Sequence, residues 1–185
     1  PMTPEGLSGT EFKCSGGEIK LPPYPGEPSY AHILLENVTD IRIGGINAPN
    51  PGGITNSFSE AVYGIKSTNS QARIFNSEFM NIYSNIAGPL NCTFCGSCIY
   101  FENTDNIDRD LIIGGPFDVS NPKTEYLKNH FTNSKNGIFT RGNQVTTIQS
   151  NTFNNIYQGV RCNRNYENIT INEENTFSET KFGVI

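Results

Sequence analysis

The sequence predicts an all-β fold in which the chain winds as a parallel β-coil, one turn per repeat of about 21–24 residues. Three observations predict it. The chain repeats itself toward its C-terminus: Asn129-His130-Phe131, Asn151-Thr152-Phe153 and Asn175-Thr176-Phe177 set their phenylalanines 22 and 24 positions apart, and Gly137-Ile138, Gly159-Val160 and Gly183-Val184 follow at matching distances. That period is too short for a helical repeat, which needs about 30 or more residues. The texture is that of strands: short β-branched runs such as Val145 to Ile148 and Ile169 to Ile171, punctuated by Asn, Gly, Ser and Thr. A leucine-rich repeat shares the period but needs a Leu-x-x-Leu-x-Leu frame, which this chain lacks.

Taken in order, residues 1–30 are a Pro- and Gly-rich lead or linker, with one strand expected at 18–21. The winding part is assigned to 31–185. His32 to Glu36 and Asp40 to Ile43 alternate as half-buried strands do, with Ile33, Leu35, Ile41 and Ile43 inward. Asn56-Ser57-Phe58 then leads to Gly64-Ile65, and Asn76-Ser77-Glu78-Phe79 leads to Ile86. Asn91-Cys92-Thr93-Phe94 leads to Cys98-Ile99 after a shortened bridge. Between Phe94 and Phe131 the register blurs, although Leu111-Ile112-Ile113-Gly114-Gly115 echoes Ile41-Arg42-Ile43-Gly44-Gly45. Six to eight coils follow from the repeat length. Phe182-Gly183-Val184-Ile185 reads as an inward face, so the winding is expected to continue beyond Ile185, or a subunit to stack there.

Each repeated residue has an expected duty. The Asn two positions before Phe should bend the chain, because Asn tolerates the left-handed backbone. Stacked in successive coils, these Asn side chains should form an amide ladder. Phe131, Phe153 and Phe177 should stack as plain core, with Ile138, Val160 and Val184 as a second column.

On Asn-x-Phe…Gly-Ile/Val the chain resembles the right-handed parallel β-helix family, the pectate-lyase-like superhelix. The resemblance is clear over 129–185 and extends to 31–101. It implies a right-handed, single-stranded parallel β-helix, a solenoid. It implies no one activity, because that superhelix hosts lyases, hydrolases, epimerases, adhesins and stalks.

Composition narrows the partners. A net charge of −5 and a pI near 5.0 disfavour nucleic acid or an anionic membrane as the main partner. No run of about 18 apolar residues offers a membrane span.

Candidate chemistry lies in three places. Cys92, Cys95 and Cys98 have C-x-x-C-x-x-C spacing, similar to iron–sulfur ligands but without the fourth Cys and Pro. Positions i and i+3 of a strand face opposite sides, so a disulfide or thiol cluster is expected and no metal. With Cys14 and Cys162 the total is five, so one thiol stays free or pairs elsewhere. Glu102, Asp105, Asp108 and Asp110, with Arg109, form the densest acidic cluster. Paired carboxylates hold Ca²⁺ or act as acid and base, and Ca²⁺ is the one cofactor this cluster would admit. Asn103-Thr104-Asp105 resembles the first polygalacturonase motif, yet the later Asp-Asp, Gly-His-Gly and Arg-Ile-Lys motifs are missing. Pectate lyases need a Trp-containing segment, and this chain has no Trp. Arg141, Arg161 and Arg164, with Tyr157 and Tyr166, would line an outer groove for an anionic sugar, where arginine meets carboxylate as a fork. His130 should point outward, opposite Phe131, and neither His32 nor His130 has a nucleophile beside it in sequence.

The functional expectation is therefore a non-catalytic structural or adhesion module of a larger secreted or cell-surface protein. Its partners would be flanking coils or a stacked subunit, and polysaccharide, bound through Glu102, Asp105, Asp108, Arg141 and Arg161. The alternative is a polysaccharide lyase or glycoside hydrolase acting on acidic polysaccharide. Asn37-Val38-Thr39, Asn91-Cys92-Thr93 and Asn168-Ile169-Thr170 match the glycosylation acceptor pattern, which an Asn-rich repeat produces by chance.

Overall fold

The computed structural model describes residues 18–20, 31–39, 41–44, 56–59, 61–82, 95–105, 107–115, 128–142, 145–163, 169–172 and 174–185. Among them every regular element is a β-strand. In chain order these are β1 (Glu18–Lys20), β2 (Ala31–Glu36), β3 (Ile41–Ile43), β4 (Asn56–Ser59), β5 (Tyr63–Thr68), β6 (Ala72–Ile74), β7 (Ser77–Met80), β8 (Ser97–Asn103), β9 (Asp110–Ile113), β10 (His130–Gly142), β11 (Val145–Ile148), β12 (Thr152–Asn163), β13 (Ile169–Ile171), β14 (Thr176–Ser178) and β15 (Phe182–Val184). They form a ten-stranded and a five-stranded sheet. Every pairing is parallel except that of β1 with β2, which is antiparallel. The strand expected near residue 18 is β1; the rest of the 1–30 lead lies outside the described residues.

Like residues pair with like. Phe58, Phe79, Phe131, Phe153 and Phe177 follow one another across β4, β7, β10, β12 and β14. Their rings stack at centroid separations of 4.8, 5.1, 4.7 and 4.7 Å, nearly parallel. The strand spacing of a sheet is about 4.8 Å, so the backbone ladder itself sets the ring-to-ring distance. A second column runs Ile33, Ile65, Ile99, Ile138, Val160 and Val184 through β2, β5, β8, β10, β12 and β15. A third runs Ile43, Ile74, Ile113, Ile148 and Ile171 along the five-stranded sheet. The three columns meet in one core cluster, and each fully buried side chain in it contributes roughly 1.5–3 kcal/mol.

The glycines before Ile and Val are explained by this packing. A Cβ on Gly64, Gly137 or Gly159 would lie 2.5–2.9 Å from the ring of Phe79, Phe153 or Phe177, the phenylalanine of the following repeat. The Gly44 and Gly114 echo is also physical. Both follow the third isoleucine column in a left-handed conformation, φ 91° and 77°, and a Cβ would collide with the carbonyls of Phe75 and Gln149.

Three expectations need correction. The Asn two before Phe does not make the bend: left-handed residues fall at Asn76 and Ser150, one position earlier, and at Asn81, Asn133, Asn155 and Glu179, two positions after Phe. The Asn is held instead for its carboxamide. Asn129 donates N–H and Nδ2 to Asn151 Oδ1, and Asn151 donates both to Asn175 Oδ1, at 2.9–3.3 Å. In the second repeat Ser77, not Asn76, holds this place, donating its N–H to Asn129 Oδ1. The second correction concerns register. Ile65 pairs with Ile99, not Ile86, and Phe79 pairs directly with Phe131. The expected repeat positions Ile86 and Asn91-Cys92-Thr93-Phe94 lie outside the described residues. Thirdly, the 21–24 spacing holds between Phe58 and Phe79 and from Phe131 onward, whereas insertions stretch the Ile33–Ile65 and Ile99–Ile138 steps to 32 and 39.

Candidate functional site

Of the expected site residues, Glu102, Arg141 and Arg161 fall on the outward side of β8, β10 and β12, in a sheet these strands share with β2 and β5. Alternation sends Ile138 and Thr140 inward and Phe139 and Arg141 outward. Two outward rows result. One runs Leu34, Lys66, Tyr100, Phe139, Arg161; the other runs Glu36, Thr68, Glu102, Arg141, Asn163.

Within the second row Arg141 Nη1 meets Glu102 Oε1 at 3.1 Å. The other carboxylate oxygen accepts from the Tyr100 hydroxyl at 3.0 Å. Burial, reinforced by the hydrogen bond to Glu102 and its charge, pushes the Tyr100 phenol well above its ordinary range. Tyr100 stacks on Phe139 at 5.4 Å and tilts against Tyr63 at 5.5 Å. Lys66 Nζ sits over the Tyr63 ring and the Arg161 guanidinium over Phe139, each 5.5 Å from the centroid. These aromatics lie on the outward side yet are buried, forming a second apolar cluster with Ala31, Val62 and Cys95.

Asp105 stands apart. In the β8–β9 connection its carboxylate takes the Arg109 guanidinium and the Ile107 N–H. The Arg109 hydrogen bond holds its carboxyl below the usual range. Asn69 Oδ1 accepts from Thr104 N–H and hydroxyl, and Asn103 Nδ2 donates to the Ile107 carbonyl, closing the turn. Asp108 and Asp110 are exposed. The structure therefore joins Glu102 to Arg141 and Asp105 to Arg109, seats Arg161 on Phe139, and leaves Asp108 in solvent. Arg164 and Tyr166 lie outside the described residues. No group of three His, Cys, Asp or Glu poised for a metal occurs among the described residues.

The cysteines divide by face. Cys95 is disulfide-bonded, its partner outside the described residues, and belongs to the outward cluster. Its sulfur carries no proton, so the Tyr63 hydroxyl donates to it at 3.6 Å. Cys98 is a free thiol in the inward core, where burial pushes it up to about 12. Cys92 lies outside the described residues. His32 Nε2 is 2.6 Å from the Ser59 carbonyl, which fixes its N–H there. Sequence reasoning missed Tyr100 and Phe139; each follows the inward isoleucine by one place, in Cys98-Ile99-Tyr100 and Gly137-Ile138-Phe139.

A polar face covers the outward side of β4, β7, β10, β12 and β14. The Thr176 hydroxyl bonds Thr152 Oγ1 at 3.3 Å, Ser178 bonds Asn154 Oδ1 at 3.1 Å, and Asn155 Nδ2 donates to Asn133 Oδ1 at 2.8 Å. The chain matches no protein-family model, no curated protein and no solved structure.

Proposed function

We propose that the chain winds as a right-handed, single-stranded parallel β-helix of the pectate-lyase-like kind. In this reading it is a non-catalytic structural or adhesion module of a larger secreted or cell-surface protein, with polysaccharide as its ligand. The observation that carries the reading is the run of matched columns, in which polar side chains bond to the same position of the next repeat. A surface built so repeats hydroxyls and amides at the strand spacing of about 4.8 Å, suited to the hydroxyls of an extended glycan. The ion pairs support the same reading, because Glu102 and Asp105 each engage their own arginine and lie on different elements.

The alternative, a lyase or hydrolase on acidic polysaccharide, draws on Glu102 with Arg141, a carboxylate and a guanidinium joined on the outward side of β8 and β10. Incubation with uronate polymers and Ca²⁺ separates the two. The module reading expects the polymer to retard the protein in affinity electrophoresis, N154A to weaken the retardation, and no unsaturated-uronate absorbance to develop. Steady growth of that absorbance, lost in R141A, would overturn it.

A further inference from the structure

We propose that the edge formed by β13, β14 and β15 is a docking surface for one more repeat of the Asn-x-Phe…Gly type, laid parallel and in register. The proposal rests on the winding reading above. Its geometry comes from three residues that behave differently at this edge than in earlier repeats.

Gly183 is the first. Gly64, Gly137 and Gly159 are each pressed by two things from the following repeat, a phenylalanine ring and a strand carbonyl, at 2.5–2.9 Å. Among the described residues, a Cβ on Gly183 would meet nothing closer than Phe177 of its own repeat, at 3.9 Å. The residue has the form of a ring socket, and the ring that fits belongs to an added repeat. Phe177 is the second. Each earlier phenylalanine is covered on both faces or buried, whereas Phe177, among the described residues, stacks on Phe153 alone and is only partly buried. Asn175 is the third. Asn129 and Asn151 aim N–H and Nδ2 at the next carboxamide oxygen. Asn175 keeps the Nδ2 bond to the carbonyl of the preceding repeat, here Ile148, but turns its N–H and its second Nδ2 bond to the carbonyl of Asn172, in its own turn. An incoming Asn Oδ1 would restore the earlier pattern. Around these residues lie Tyr157, Phe182, Val184 and Ile185, four of the five exposed large apolar side chains among the described residues. The edge thus continues an interface that already recurs along the chain. Antiparallel β1 lies along β2 at the other end of the ladder, so head-to-tail stacking of a second copy is opposed there.

The test appends a duplicate of residues 162–185, carrying C162S, directly after Ile185. This places its Asn, Phe and Gly one period beyond Asn175, Phe177 and Gly183. The extended chain should melt about 4 °C or more above the parent in one transition, and amide exchange over 176–185 should slow at least about tenfold. G183A should erase both gains in the extended chain. In the unextended chain G183A should melt at or above the parent temperature, which shows that it folds. An extended chain with no gain, in a background where G137A still destabilises the parent, overturns the socket alone. A G137A variant as stable as the parent overturns the winding reading beneath it. A parent that sediments as a dimer, made monomeric by the appended repeat, assigns the edge to a second copy and overturns the proposal.

Discussion

A Cβ added to Gly159 would lie 2.5 Å from Cε1 of Phe177 and 2.6 Å from the carbonyl oxygen of Gly183. The smallness of one residue is thus dictated by a ring 18 positions later. Gly159→Ala should cost about 1–3 kcal/mol by overpacking, read as a lower urea midpoint with an unchanged slope. In Phe177→Ala the same substitution should cost less, because the ring is gone, but not nothing, because the carbonyl remains. A double-mutant cycle with no coupling energy would show that the two do not meet.

Asn151 is buried, and its Nδ2 reaches the carbonyls of Ile113 and Gln149 and Asn175 Oδ1 at 2.9–3.1 Å. Asn151→Ala leaves several buried groups unsatisfied and should cost about 3 kcal/mol. Asn151→Asp should be worse at neutral pH, since a carboxylate would face three acceptors. Protonation supplies a donor, so the Asp variant should regain stability on acidification, opposite to the parent. Denaturant titrations at neutral and acid pH check the sign.

Much of this arrangement is legible in the sequence and some is not, for a physical reason. Phe131, Phe153 and Phe177 announce their column because a side chain that stacks must recur at each step. The amide ladder is legible for the same reason, although the bend it was expected to serve falls on Ser150 and Asn155, positions that other repeats fill with Asn76, Asn133 and Glu179. The Ile65–Ile99 pairing was obscured because an insertion leaves the column intact while breaking the count. Charge pairing was least legible: Glu102 finds Arg141 only through register, 39 positions away, and nothing in either local sequence encodes it.

Asp105 gives the chain an acid-sensitive corner. Its carboxyl is held below 3.8 in the folded chain, first by the Arg109 hydrogen bond. A depressed folded value means the stabilisation is present above the unfolded value and is lost as pH falls through the folded one. Asp105 is 31% exposed, so solvent screens part of the pair and the effect is modest. The parent should lose stability on descending below pH 3.8, and D105N should flatten that part of the profile. Amide exchange at Ile107 and Arg109, followed across the same range, should accelerate in the parent first. A D105N profile that overlays the parent would remove the corner from the account.

Cys98 should reveal the core from the alkaline side. Its thiol is fully buried and raised from 9.0 to about 12 by desolvation, with Ser134 beside it. The thiolate is the reactive form, so native protein at pH 8 should leave Cys98 unmodified by an aromatic disulfide reagent, and denaturant should expose it at once. Cys162, half-buried and also raised by burial, should react at an intermediate rate. The unfolded chain releases the Cys98 proton near 9 while the folded chain keeps it. Stability should therefore decline as pH rises from 9.0 toward about 12. Cys98→Ala removes this term and should shallow the alkaline decline, at the cost of losing one buried sulfur from the column wall. Rapid labelling of native Cys98 at pH 8 would place the thiol at the surface and contradict the inward face on which the isoleucine column depends.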